Sequence, residues 1–291
     1  MEVFYINNLN DLPLLDTNSC AIGNFDGVHL GHRQLIEKAY VPGYKRLVIT
    51  FENINKNKYL TTTEQKIKYL ESLNIDYLVI LPFRVIRLVF FNEFIQILKN
   101  LKVKYITCGA DFRFGFKREG DTTDLKKKFK LTIFEDVKVN QTRVSTSLIK
   151  EFLTDGFLEE ANNLLEKPYT IKGTVVEGNK IGRKLGYPTA NIKYDDYLLP
   201  KSGVYVTIIK YKEKNYLSMT NIGFNPTLNE QENKRLEVHI LDFNEEIYGE
   251  ELEISFIKYL REERRYNSKD DLIKSLEETI NICREYKNMI E

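Results

Sequence analysis

The feature that most constrains this chain is a change of period near residue 168. Before it, short apolar runs alternate with amphipathic helical patterns. After it, β-rich runs follow one another with only Gly, Asn and Pro between them. Residues 3–6, 20–23, 46–51, 77–81, 104–108 and 131–134 read as strands. Residues 33–40, 63–73, 84–101 (broken near Asn92) and 122–129 read as the helices between them. Such alternation implies right-handed βαβ units on a parallel sheet covered on both faces. In the second half, residues 170–177, 203–211, 214–221, 235–240 and 251–258 leave no crossover helices, so a small antiparallel barrel is expected. A helix over 157–166 is stopped at Lys167-Pro168-Tyr169, and an amphipathic helix over 270–286, begun by Ser268 or Asp270, closes the chain. The expected domains are therefore 1–167 and 168–291, in keeping with a length of 291 residues.

Composition excludes several classes. With 42% hydrophobic and 29% charged residues the chain has the makings of ordinary globular cores. A net charge of +1 argues against a general nucleic-acid binder or a membrane-surface protein. No apolar run reaches about 18 residues and no signal-peptide pattern opens the sequence, so a soluble, cytoplasmic protein is expected. Cys20, Cys108 and Cys283 are far apart and form no C-x-x-C, so they read as buried thiols. The Lys126–Lys128 run reads as a solvated helix face.

Chemistry concentrates first in Cys20 to Leu35, CAIGNFDGVHLGHRQL. A buried strand here runs into a polar, Gly-containing turn and then a helix. Two of the three histidines of the chain, His29 and His32, lie in the turn, with His32 at the helix N-terminus. Unpaired N–H groups and the helix dipole favour an anion there, and Gly27 and Gly31 let it approach the backbone. The stretch reads as a site for nucleotide phosphates. Two later stretches are ambiguous alone. Gly109–Gly115 puts Asp111, Arg113 and two Phe at a strand end, and core packing is the simpler reading of the Phe. Ser145, Thr146, Ser147 and Lys150 open a helix as either a cap or a phosphate clamp, with capping the simpler account of Ser145.

In the second half, Gly178–Asn191 forms a basic loop with three glycines, lacking both the Walker A and the dinucleotide fingerprints. Thr189 and Asn191 alternate, so in a strand they offer two neutral oxygens on one face, suited to Mg²⁺ arriving with ATP. Glu237 and His239 share a face of another strand, where a carboxylate can take a proton from an attacking alcohol. An ordinary turn and a solvent-facing strand remain open for these two stretches taken singly.

The order of motifs narrows the choice. G-x-F-D-G-x-H-x-G-H at 23–32 resembles the nucleotidylyltransferase signature of bacterial FAD synthetases. Its companions G-x-D-F-x-F-G and a hydroxyl-rich helix start follow, with L-T-T-x-E-x-K (60–66) and L-P-F (81–83) between. Residues 182–191, 203–205, 221–227, 236–243, 248–249 and 260–266 resemble the ordered blocks of the riboflavin kinase module. The resemblance implies a Rossmann-like nucleotidylyltransferase sheet followed by a barrel of riboflavin kinase type, acting on riboflavin, FMN and ATP with Mg²⁺. By resemblance, Gly23, Asn24, Gly31, His29 and His32 hold ATP phosphates, with Ser145, Thr146, Ser147 and Lys150 completing the clamp and Asp111 lining the flavin cleft. Thr189 and Asn191 would meet Mg-ATP, Glu237 would be the general base, and Gly178, Gly182 and Arg183 would cover the nucleotide. Arg261 and Tyr266 would lie near the flavin. Three departures stand out: Asn53-Ile54-Asn55 replaces the usual Pro-His-Pro, Lys150 replaces an Arg, and Thr146 and Ser147 exchange the usual order. A kinase with a decayed first domain and a non-catalytic flavin-sensing module are the two rival expectations.

Overall fold

The computed structural model describes residues 1–52, 58–178, 182, 185–224, 234–266 and 268–290. Its compact units divide between Leu148 and Ile149.

The first unit holds a six-stranded, all-parallel sheet in the order β1-β4-β3-β2-β5-β6. Its strands are β1 (Glu2–Tyr5), β2 (Asn18–Ile22), β3 (Lys45–Phe51), β4 (Tyr77–Leu81), β5 (Val103–Gly109) and β6 (Lys130–Phe134). Helices α1 (Leu30–Lys38), α2 (Thr63–Glu71), α3 (Phe83–Ile86), α4 (Phe91–Asn100) and α5 (Thr122–Lys126) connect them. All five residues of β2 and of β4 are buried, as expected of strands covered on both faces. One face packs Cys20, Ile22 and Ile106 against Phe94, Leu98 and Leu125; the other packs Ala21, Val48 and Leu78 against Leu35, Ile36 and Leu70. Strand order reverses at β2, which has β3 on one side and β5 on the other, and such switch points open a crevice at the carboxyl ends of the strands. A short hairpin, β7 (Lys138–Val139) and β8 (Thr142–Arg143), precedes α6 (Thr146–Asp155). The exposed Lys126–Lys128 run lines a cleft of about 730 Å³ with Val103 and Lys130, at the amino ends of β5 and β6 and so at the opposite sheet edge from the crevice.

The expected break near Asn92 lies earlier, between Ile86 and Phe91, and Asn92 is inside the first turn of α4. Two carboxylates account for it: Glu93 accepts the N–H of Phe90 at 2.8 Å and Glu119 that of Phe91 at 2.7 Å. These bonds satisfy donors that a new helix start leaves without partners.

The second unit is a closed antiparallel barrel in the order β10-β13-β12-β11-β14-β9. It comprises β9 (Tyr169–Val176), β10 (Ala190–Tyr194), β11 (Gly203–Tyr211), β12 (Lys214–Phe224), β13 (Lys234–Ile240) and β14 (Glu251–Arg261). Its interior holds Tyr205, Ile209, Ile254 and Phe256 together with a hydroxyl cluster, in which Thr207 Oγ1 lies 2.7 Å from Ser218 Oγ and 2.6 Å from Thr220 Oγ1. The closing helix α8 (Lys269–Arg284) covers the outer face through Ile280 and Cys283, packed on Val204, Val206, Leu217 and Met219. Of the two expected caps, Ser268 is the one used, its hydroxyl accepting the N–H of Asp271 at 3.1 Å. Helix α7 (Leu158–Leu165), read from the sequence as part of the first domain, groups with the barrel. The reason is Asn162, whose amide donates to the carbonyl of Phe256 at 2.9 Å and accepts the N–H of Tyr169 at 2.7 Å.

Candidate functional sites

In the first unit the site residues gather on the turn between β2 and α1. Helix α1 begins at Leu30, three residues earlier than its sequence pattern suggests, because His29 caps it. The Nδ1 atom of His29 accepts the N–H of His32 at 3.3 Å. The two rings stack with centroids 3.5 Å apart, and Phe25 meets His32 edge-on at 5.2 Å. Both histidines thus sit on the first turn of α1, where N–H groups point outward. Gly31 brings the helix against His29, with a Cβ there 3.3 Å from the imidazole ring; a Cβ on Gly23 would stand 2.8 Å from the ring of Phe25.

The turn is held from several sides. The carboxylate of Asp26 is 4% exposed and accepts the N–H groups of Leu60 and Thr61 at 3.0 and 3.1 Å. The hydroxyl of Thr61 accepts the N–H of Gly27 at 3.0 Å. Lys66, which is fully buried, donates to the carbonyls of Asn24 and Phe51. Ser145 caps α6 by accepting the N–H of Leu148 at 3.2 Å, while Thr146 donates to the carbonyl of Asp26 at 3.4 Å. The start of α6 therefore joins the turn through Thr146, with Ser147 exposed beside it. Lys150 lies on the far side of the division at Leu148. Asp111, at the carboxyl end of β5, is exposed and pairs with Arg143 at 3.2 Å. Phe114 is core, stacked on Phe91 and Phe94, so the simpler reading holds for that ring. Asn53 and Ile54, where the Pro-His-Pro would be, and Arg183 lie outside the described residues.

In the barrel the site residues form a row. Antiparallel register sets Asn191 of β10 opposite Glu237 of β13, and Glu237 opposite Asn221 of β12. The row continues through Val204 of β11 to Arg261 of β14. Val204 packs under α8, so this is the outer face of the barrel. Glu237 pairs with Arg235, two residues away on the same face, at 3.3 Å. His239 also shares that face, but its Nδ1 lies 2.8 Å from the carbonyl of Pro188 and its ring is covered by Tyr187. It holds the strand entry that presents Thr189. Gly178 and Gly182 approach closely here: a Cβ on Gly178 would collide with the amide of Asn191, and one on Gly182 would stand 3.4 Å from Thr189 Oγ1. At the far end of the row, Arg261 and Tyr266 converge on Ser275 of α8, at 3.2 and 2.6 Å.

Each unit has a counterpart among known proteins. The sequence model described as FAD synthetase matches residues 14–148, and that described as riboflavin kinase matches residues 165–287. A protein of Listeria monocytogenes named bifunctional riboflavin kinase/FMN adenylyltransferase is 39% identical, over 88% of each chain. Proteins of the same name from Buchnera aphidicola (36% identical, over 98% of this chain and 99% of the relative) and Escherichia coli K12 (34%, over 92% and 91%) also match. This chain belongs to the bifunctional riboflavin kinase/FMN adenylyltransferase family. A solved structure from Streptococcus pneumoniae, titled a macrolide-efflux protein, shares the fold with a TM-score of 0.86 and 29% identity, covering 97% of this chain and 98% of that one. No helix among the described residues is long and apolar enough to cross a membrane.

Two polar residues beside these candidate sites are not singled out by the sequence. Asn221 has a buried Oδ1 with no hydrogen-bond partner among the described residues, while its amide donates to Glu263 at 2.9 Å. Its place at the head of the 221–227 block was the available signal. Lys66 closes the L-T-T-x-E-x-K block, and only its burial distinguishes it from an ordinary helical lysine.

Proposed function

We propose that the barrel phosphorylates riboflavin to FMN and that the parallel-sheet domain adenylylates FMN to FAD, both with ATP, in a cytoplasmic enzyme. Each unit having its own glycine-lined polar site carries this reading. In the barrel, Glu237 accepts the proton of the ribityl 5′-hydroxyl as its oxygen attacks the γ-phosphorus, and ADP leaves. Arg235 keeps the carboxylate extended along the strand face. Thr189 and Asn191 are the residues that would hold Mg²⁺ with ATP. Their fit is supported by two neutral oxygens beside Gly178 and Gly182, where a side chain would crowd Asn191 and Thr189. The bound ion would neutralise charge developing on the phosphates. Gly178, Gly182 and Arg183 would cover the nucleotide, and Arg261 and Tyr266, anchored on Ser275, would orient the flavin.

In the first domain the FMN phosphate attacks the α-phosphorus of ATP and pyrophosphate leaves. The attacking oxygen is already ionised, so the step calls for donors rather than a base. His29, His32 and the N–H groups of Gly31 and the turn from Gly23 supply them, with Ser145, Thr146 and Ser147 as the clamp and Asp111 at the flavin edge. A chromatographic time course with riboflavin, excess ATP and Mg²⁺ tests the assignment. FMN should appear first and FAD second, and His29→Ala should abolish only the second product. FMN accumulating in the unaltered protein would mean that the first domain does not adenylylate.

A further inference from the structure

Lys66 has no part in the reactions as derived above. It is the fourth residue of α2 and fully buried, in an environment where an ammonium group without acceptors is strongly disfavoured. Its Nζ donates to the carbonyl of Asn24 at 2.8 Å, to the carbonyl of Phe51 at 2.9 Å and to Thr50 Oγ1 at 3.4 Å. Thr50 in turn donates to Asn24 O at 3.0 Å. Thr50 and Phe51 end β3, whereas Asn24 is in the phosphate turn, so the ammonium group joins the turn to the sheet.

That turn is not a relaxed backbone. Phe25 and Val28, both buried, adopt left-handed conformations with φ of 51° and 45°. Such conformations are strained for residues with a Cβ and persist only where the surroundings enforce them. Val28 immediately precedes His29, whose imidazole caps α1 and stacks on His32. Movement at Asn24 is therefore relayed to both rings. A well-packed apolar side chain is often no less stabilising than a buried charge, so stability alone gives no reason for a lysine here.

We propose that Lys66 is a positioning residue for adenylyl transfer, holding the Asn24 carbonyl against the end of β3 so that the turn N–H groups and the His29–His32 pair stay aimed at the ATP phosphates. The proposal rests on the reading of the His turn as the ATP site. The carboxylates of Asp26 and Glu52 act on Lys66 from the turn and from the residue after β3, favouring its charge; burial outweighs them and lowers its pKa to about 8.

The test measures FAD formation from FMN and ATP by the full-length protein between pH 6.5 and 9.5, with FMN formation followed in the same preparations. The variants are Lys66→Met, Lys66→Arg and His29→Ala. Lys66→Met should lower kcat for FAD formation about a hundredfold, the scale of a small misplacement of catalytic groups, while KM for ATP stays near its original value and FMN formation is unchanged. The unaltered protein should lose FAD-forming kcat with an alkaline limb near pH 8, and Lys66→Arg should restore most of the rate and lack that limb. If Lys66→Met loses the fold of its domain, the pH profiles of the unaltered and Lys66→Arg proteins decide. Full activity in Lys66→Met, or an unchanged alkaline limb in Lys66→Arg, overturns the proposal. Should His29→Ala still form FAD, the phosphate-site reading fails; should it lose FAD while Lys66→Met keeps it, only the positioning role fails.

Discussion

The two sites of this chain are assembled by opposite means. In the parallel-sheet domain, the candidate site residues on the turn between β2 and α1 are mostly contiguous in sequence, from Gly23 to His32, and their geometry depends on distant groups that clamp one irregular turn. In the barrel, Asn191, Asn221, Glu237 and Arg261 are far apart in sequence, and strand register alone puts them in line. At about 4.8 Å per strand, Glu237 and Arg261 are separated by three strand spacings, or about 14 Å measured along the barrel wall. An irregular turn can be shifted by losing one buried donor, whereas a register row can be shifted only by slipping a whole strand. The first site should thus be sensitive to remote substitutions, and the second mainly to changes in the row itself and the loop over it.

The sharpest separation of the two should come from Glu237→Gln. It should lower FMN formation about a thousandfold, within the usual range for loss of a general base, while FAD formation from supplied FMN is unaffected. A matching fall in the FAD step would show that the sites are not independent.

The clamp on the first site has a signature in stability. Lys66 titrates near 8 when folded and near 10.5 when unfolded, so between those values the unfolded chain binds more protons. Stability of the first domain should therefore rise with pH across that window. Relative to Lys66→Met the gain should be about 3 kcal/mol between pH 8 and 10.5 in denaturant titrations followed by a first-domain probe. A flat difference would mean that the ammonium is solvated.

Smaller effects test the barrel row. Gly178→Ala sets a methyl group into the amide of Asn191 and should reduce kinase kcat/KM about a hundredfold, with FAD formation from FMN preserved. Ser275→Ala removes the hydroxyl that both Arg261 and Tyr266 use, and should raise KM for riboflavin about tenfold with little change in kcat. An unchanged KM would detach those two side chains from flavin binding.

The contrast also explains what could be read before the structure. Strands such as β4 and β11 were legible because they are rich in aliphatic, β-branched and aromatic residues and bounded by turn residues. The Ala190–Tyr194 strand was passed over as an element, since five residues behind a Pro resemble a loop; it is a strand because β9 and β13 pair with it on both sides. The turn between β2 and α1 stands out in the sequence through two histidines and two glycines in one short stretch. Its clamp did not, because a lysine at position 66 of a helical pattern reads as solvent-facing until the carbonyls of Asn24 and Phe51 are brought to it. His239 was ambiguous for the same reason: whether it faces water or a carbonyl depends on where Pro188 folds. The break in the 84–101 helix was misplaced because Glu119, which accepts the N–H of Phe91, is 28 residues away in sequence.

The three cysteines have a practical consequence of their own. Cys20 and Cys108 are sealed within the parallel-sheet core and Cys283 between α8 and the barrel, all with no exposed surface. Burial holds their thiols protonated, the pKa of Cys108 and of Cys283 being pushed up to about 12. Alkylating reagents attack only the thiolate and only once it is reached, so each cysteine reports an opening event. Mass spectrometry of timed labelling would read two clocks in one chain: Cys20 and Cys108 for the sheet, Cys283 for release of the closing helix. ATP added without flavin should slow whichever clock belongs to the domain it binds.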